Sequence, residues 1–359
     1  MNKDSKIFLV LISAVLITSG CVENSQSESN TSPISVNEFS ITPNPAPGDQ
    51  TVRVQMKLQN NGDSDVENAY ARLFGPSLAS SDSGTWRTSD GGSVSKEYRT
   101  MKFRDLNAGT ETSPAIPSRD TVSFISPNID EGRINTYNFI SKIQYDYKTT
   151  ANTEIKVMSN ERYQETGESQ SRLTADNSDG PIQLEVQGTT PHVFYDAGTE
   201  EEELCVTLKN QGSGTPFLTT TDVGASESDT GYDLNDNNRN KVELVVENVG
   251  NVEFDARGSD GATVVDMIDG NGYQCYDMTL TGLGTVTDLE QTTEIPIEVI
   301  YGYEEETSTT VTVEGRRTEA DGGKEENDDS SEDSEDESSS EEDNSGGDGP
   351  EEPPGGITE

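Results

Sequence analysis

The chain repeats itself, and the repeat limits its fold more than any other feature. ISKIQYDYKTTANTEIKVMS at 140–159 lines up with IPIEVIYGYEEETSTTVTVEG at 295–315. In both, an apolar alternating run leads to Tyr-x-Tyr, a polar stretch that predicts a turn, and a closing Thr/Val/Ile run. Tyr145 and Tyr147 thereby match Tyr301 and Tyr303. Earlier in each unit, LQNNGDSDV at 58–66 has a counterpart in LKNQGSGTP at 208–216. Duplication at this spacing predicts tandem domains of one fold. Their expected extents are 34–160 and 182–316, joined by the polar stretch 161–181.

Within each unit the apolar period is two, the sign of half-buried strands. Val52, Val54, Met56 and Leu58 share one face of TVRVQMKLQN, with Arg53, Gln55 and Lys57 on the other. Asn60, Asn61 and Gly62 then supply turn residues tolerant of positive φ. Pro43, Pro45 and Pro47 fall in the first connection, where they leave a ladder intact. No stretch carries convincing helical periodicity. The expected fold class is therefore all-β, two antiparallel sandwiches in tandem. A strand followed by N-x-G resembles the CARDB-like and related immunoglobulin-like domains of archaeal cell-surface proteins. That resemblance implies an immunoglobulin-like fold and an extracellular setting, not an activity.

The N-terminus supports the same setting. Lys3 and Lys6 precede Ile7–Ile17, apolar except for Ser13, and Thr18-Ser19-Gly20 lead into Cys21. Such a run is too short for a bilayer core of ~30 Å, which takes about twenty residues, but it suits a cleavable export signal. It resembles the lipobox of bacterial and archaeal lipoproteins, with Thr18 where leucine is usual. The resemblance implies a signal peptide over 1–20, a lipid on Cys21 and attachment to the outer face of the cell membrane. Ordinary cleavage nearby and an uncleaved anchor are the alternatives. Residues 21–33 read as a flexible tether, and Asn30-Thr31-Ser32 is a glycosylation acceptor sequence. Residues 317–359, acidic and rich in Ser, Gly and Pro, have nothing to bury and are expected to be disordered. No apolar segment follows, so anchoring is expected at the N-terminus alone.

Charge narrows the environment. The chain has 24 Lys and Arg against 68 Asp and Glu, a formal charge of −44. From Thr318 onward there are 18 acidic residues and one Lys, so the rest keeps 50 acidic against 23 basic residues. A body this acidic repels itself at ordinary salt. Molar salt, with a Debye length of ~3 Å, screens that repulsion. A halophilic archaeon is the expected source; an acidic surface for cations or basic partners is the competing reading. Nucleic acid is not expected as a partner, because no basic face is available for phosphates.

If Cys21 carries lipid, Cys205 and Cys275 remain. Leu204, Val206 and Leu208 should face the core, which turns Cys205 outward; Cys275 lies opposite Tyr276, Met278 and Leu280 in the same way. Matching faces on two strands predict a disulfide, worth about 4 kcal/mol in the chain-entropy model, with two free thiols as the alternative. No metal site is expected from two cysteines without a nearby histidine. DLNDNN at 233–238 looks like a calcium loop but puts Asn238 and Leu244 where an EF-hand needs Gly and Glu, so a turn is expected. Trp86, in the insertion 75–93, could be a binding tip but is expected to fold over its own domain. The paired tyrosines are expected to pack, not to form a ligand surface.

No HExxH, GxSxG or P-loop is present, and His192 is isolated from any usable cysteine. The expectation is a non-enzymatic surface protein without cofactor, held by its lipid and serving structure, adhesion or contact with a cell-envelope or membrane-complex protein. The alternative is an accessory subunit of a membrane transporter or secretion complex.

Overall fold

The computed structural model describes residues 32–316, apart from 76–84, 89–97, 111, 195–200, 220–226, 229–230, 257–261 and 281–289. The fold is all-β sandwich. In the first half the main strands are β1 (Ile34–Thr42), β2 (Thr51–Asn60), β3 (Val66–Phe74) and β4 (Arg87–Thr88), then β5 (Tyr98–Leu106), β6 (Ser118–Ile125) and β7 (Ile134–Ser159). The second half has β8 (Ile182–Gln187), β9 (Glu201–Asn210), β10 (Lys241–Val246) and β11 (Val252–Ala256), then β12 (Ala262–Asp266), β13 (Asn271–Leu280) and β14 (Glu290–Glu314).

The sheets are β1-β2-β6-β4, β8-β9-β13-β11, and a central sheet running β12-β10-β14-β7-β3-β5. Raising each label in the first half by seven gives the order in the second. The alternation explains the layers. Val52, Val54, Met56 and Leu58 are all 0 % exposed, and burying each such side chain contributes about 1.5–3 kcal/mol. Along β7 the odd-numbered residues from Phe139 to Val157 are buried. Both outer sheets therefore cover the same face of the central sheet, and one continuous core runs through both halves.

The predicted turns after Tyr-x-Tyr do not form. β7 and β14 each run straight through their polar stretches and pair antiparallel from Ile134↔Glu314 to Met158↔Glu290. Thr149, Thr150 and Asn152, like Glu304–Thr310, contain neither Gly nor Pro to set a reversal, and threonine favours extended backbone. Only the first half of β7 pairs with β3, from Ile140 to Tyr145, while β10 pairs with β14 at Ile297–Ile300. In an immunoglobulin-like sandwich the last two strands fold back beside each other in one sheet. Here the hairpin is opened, and the end of each long strand completes the sheet of the other half. Two short parallel pairs follow the same symmetry: Ala46–Pro47 on Val313–Glu314, and His192–Phe194 on Val157–Ser159.

The stretch between the halves is not featureless. Asn160–Thr166 forms a helix, α1, whose first turn is capped by Ser159 Oγ accepting from the Arg162 N–H, and which ends at Gly167 with φ 62°. Asn and Ser at a helix start and Gly at its end satisfy otherwise orphaned backbone groups, which periodicity alone does not reveal. Ala175–Asn177 then pairs with β7 at Ala151–Thr153.

Candidate functional site

Four tyrosines meet where the halves join. Tyr145 faces Tyr303 and Tyr147 faces Tyr301 across β7 and β14, with ring centroids 5.9 and 6.1 Å apart. All four are buried, and their hydroxyls are spent on structure. Tyr147 donates to Asp179 O at 2.9 Å, and Tyr303 donates to Asn210 Oδ1 at 2.9 Å while accepting from the Gly214 N–H at 2.9 Å. Tyr301 shares a hydrogen bond with Thr149 Oγ1 at 2.8 Å, and Tyr145 donates to Glu305 Oε1 at 2.8 Å. Burial raises the pKa of every one of them, that of Tyr303 to about 12. Burial also raises the Glu305 carboxyl, against hydrogen bonds from Ser32 and Tyr145. A phenol so held stays neutral and serves as packing, as expected from the sequence.

The N-x-G turns sit beneath these rings. Asn60 Oδ1 accepts from the Gly62 N–H at 2.9 Å, and Asn210 Oδ1 from the Gly212 N–H at 3.1 Å. A Cβ on Gly62 would lie 2.2 Å from the Tyr147 hydroxyl, and one on Gly212 2.3 Å from that of Tyr303. The repeated motif is thus a seat for the repeated tyrosine.

The opposite face of the junction holds a polar cluster that sequence reasoning missed. Glu304, 9 % exposed, accepts from Gln144 Nε2 at 2.7 Å and from Arg239 Nη2 at 3.2 Å, with Lys142 Nζ at 3.6 Å. Gln144 Oε1 takes the Tyr232 N–H at 3.0 Å, and the Tyr232 hydroxyl donates to Asp146. Arg72 pairs with Asp233 at 3.4 Å. Tyr70, Phe217 and Tyr232 form a second small apolar cluster there. Residues 231–239, the described part of the connection that leads into β10, therefore lie as a strap across strands of both halves. Its charges belong to residues far apart in the chain, so spacing could not reveal them.

Other expectations fall as follows. Cys21 and Asn30 lie outside the described residues, as does the tail from 317. Cys205 and Cys275 stand directly opposite on β9 and β13 and form a disulfide, with Cα atoms 4.0 Å apart. Glu203 lies beside them, but bonded sulfurs are no longer thiolate ligands. Trp86 is fully buried, edge-on to Tyr137 at 5.5 Å and to Phe139 at 5.0 Å. In the loop 233–238, Asn238 Oδ1 accepts from the Asn235 N–H at 2.8 Å and Asn238 Nδ2 donates to Asp233 O at 3.0 Å. Those groups close a turn, as expected. His192 is buried on its short strand, and burial lowers its pKa.

No family model matches the chain, and no curated protein does. Among solved structures, the C-terminal globular domain of an oligosaccharyltransferase from Pyrococcus abyssi aligns with 79 % of this chain at 8 % identity and TM-score 0.20. Red sea bream transglutaminase aligns with 79 % at 9 % identity and TM-score 0.17. The collagen adhesin of S. aureus also aligns with 79 %, at 7 % identity and TM-score 0.10. The chain covers 50 % of the first of these, 32 % of the second and 93 % of the third. At these scores the likenesses carry no functional argument.

Proposed function

We propose that this is a lipid-anchored protein of the outer cell surface, non-enzymatic, with a structural, adhesive or protein-interaction role in a halophilic archaeon. The observation that carries the reading is the reciprocal pairing of β7 with β14. A shared sheet and a strap over its back make the two sandwiches one stiff body. Stiffness suits a scaffold projecting from a membrane. It does not suit a solute binder, whose lobes must close around a ligand. The export signal ending at Cys21 supports the placement, and the charge of −44 supports the brine.

Mass spectrometry of the mature N-terminus tests the anchor: a Cys21 carrying a two-chain lipid is expected, and an unmodified peptide spanning Cys21 removes it. Crosslinking on intact cells tests the role. Capture of a transporter or secretion complex in stoichiometric yield would favour the accessory-subunit reading instead.

A further inference from the structure

Three of the five large hydrophobic side chains exposed among the described residues lie together: Val264 at 46 %, Ile268 at 73 % and Tyr273 at 57 %. They border a groove of about 470 Å³ beside β12, and β12 is one edge of the central sheet. Scattered surface hydrophobics need no explanation, but a contiguous patch marks an interaction site. An edge strand also offers unpaired backbone groups, which proteins usually guard with charges, Pro or a covering group.

The other half of the molecule shows what guarding looks like. Ala71 pairs with Met101 and Ile143, and Leu244 pairs with Thr263 and Val299. Ile143 and Val299 each stand two residues before the first tyrosine of their repeat, so Met101 corresponds to Thr263 and Lys102 to Val264. On β5 the edge carries the charge of Lys102, whose N–H donates to Asp120 Oδ2 at 3.0 Å. Asp120 faces Met56, and the matching pair in the second half is Val206 with Gln274. Gln274 instead turns its amide to Cys275 O at 2.8 Å. The second half thus has valine where the first has lysine, and its counterpart of the capping carboxylate is turned away.

We propose that the β12 edge is a docking site for an extended segment of another protein, added as the next strand of the central sheet. Backbone pairing would supply affinity and alternate side-chain pockets specificity. The segment would carry apolar residues at alternate positions, to cover Val264 and Ile268, and Lys or Arg at its ends. Asp266, its side chain 68 % exposed though paired with Lys241 Nζ at 3.5 Å, and exposed Asp269 flank the patch. At low salt, where the test is run, charge also argues against a second copy, since two bodies this acidic repel each other. The inference rests on the protein-interaction reading above.

The test uses the full chain and a capped peptide, Lys-Val-Thr-Val-Thr-Lys, with a control in which Glu replaces both Lys. Hydrogen exchange should slow at residues 262–266 when the basic peptide is added. Val264→Lys, which copies the guarded edge, should weaken binding at least tenfold. Ile268→Lys, on an exposed side chain that folding does not need, should weaken it several-fold. Equal binding by both variants, slowing only elsewhere, or none at millimolar peptide overturns the site. Self-association that Val264→Lys abolishes would assign the edge to a second copy and overturn it too. Partners crosslinked on cells through another surface would leave the interaction reading standing without this edge; no partner at all would remove both.

Discussion

Gly302 shows how closely the junction is packed at the level of single atoms. A Cβ there would lie 2.1 Å from two carbons of the Phe217 ring, a contact that backbone and ring must both yield to relieve. Overpacking of this kind costs about 1–3 kcal/mol. Gly302→Ala should therefore lower the melting temperature by several degrees, and Phe217→Leu in the same chain should recover part of the loss. Additive losses in that double variant would mean the contact is not the cause. His192 gives a second prediction. Its Nε2 is buried without a hydrogen-bond partner among the described residues, and burial holds its pKa below the ordinary value of 6.5, with Glu202 opposing. The unfolded chain then binds the proton more readily than the folded one. Stability is complete above pH ~6.5 and falls as pH drops through that value towards the lower folded pKa. It is the chain's one histidine, so in the window just below pH ~6.5 the slope of stability should flatten in His192→Phe. An unchanged slope in denaturant melts across that window would refute this.

At the scale of strands, the disulfide and the opened hairpins do different things. Cys205–Cys275 ties β9 to β13 across a sequence separation of 70. Closing such a loop in the unfolded chain is worth about 4 kcal/mol in the entropy model, so reduction, or Cys205→Ser with Cys275→Ser, should lower unfolding stability by ~2–5 kcal/mol. A loss near zero, read from denaturant melts with and without reductant, would show that the sheet alone sets the spacing. This pairing was legible in the sequence because alternation fixes which residues share a face, as it did for Val52–Leu58 and for the repeated tyrosines. The course of β7 and β14 was not legible. A polar Thr/Asn or Glu/Thr stretch suits a turn or an edge-paired strand equally, and only the presence of a second copy of the same strand decides between them. The strap was hidden for a related reason: Glu304, Gln144, Arg239 and Asp146 converge by folding, and none carries a local pattern.

For the whole molecule, charge and exchange set the expected behaviour. With 50 acidic against 23 basic residues before Thr318, self-repulsion should make stability rise with salt. Going from ~0.1 M to ~1 M NaCl should raise the melting temperature by roughly 5–10 °C, which corresponds to a few kcal/mol for a body this size; a flat response would count against brine as its natural medium. The exchange predicts something stronger. The C-terminal part of β7, from Tyr147 onward, pairs with β14 and lies over the second half's core, and that of β14 from Tyr303 does the same for the first. A fragment of residues 34–167 keeps its own long strand but lacks the one that completes its sheet, leaving Phe139 and Ile143 beside an open edge. The fragment 168–316 has the mirror defect. Each alone should be unfolded, or should pair with a second copy of itself through its long strand, the usual outcome when an element exchanged between similar units loses its partner. Mixed in equal amounts from denaturant, the two should give a one-to-one complex with the melting behaviour of the intact body, detectable by size exclusion and by circular dichroism. A fragment that folds alone as a stable monomer would mean that the opened hairpin can close, and that the halves are beads on a string after all.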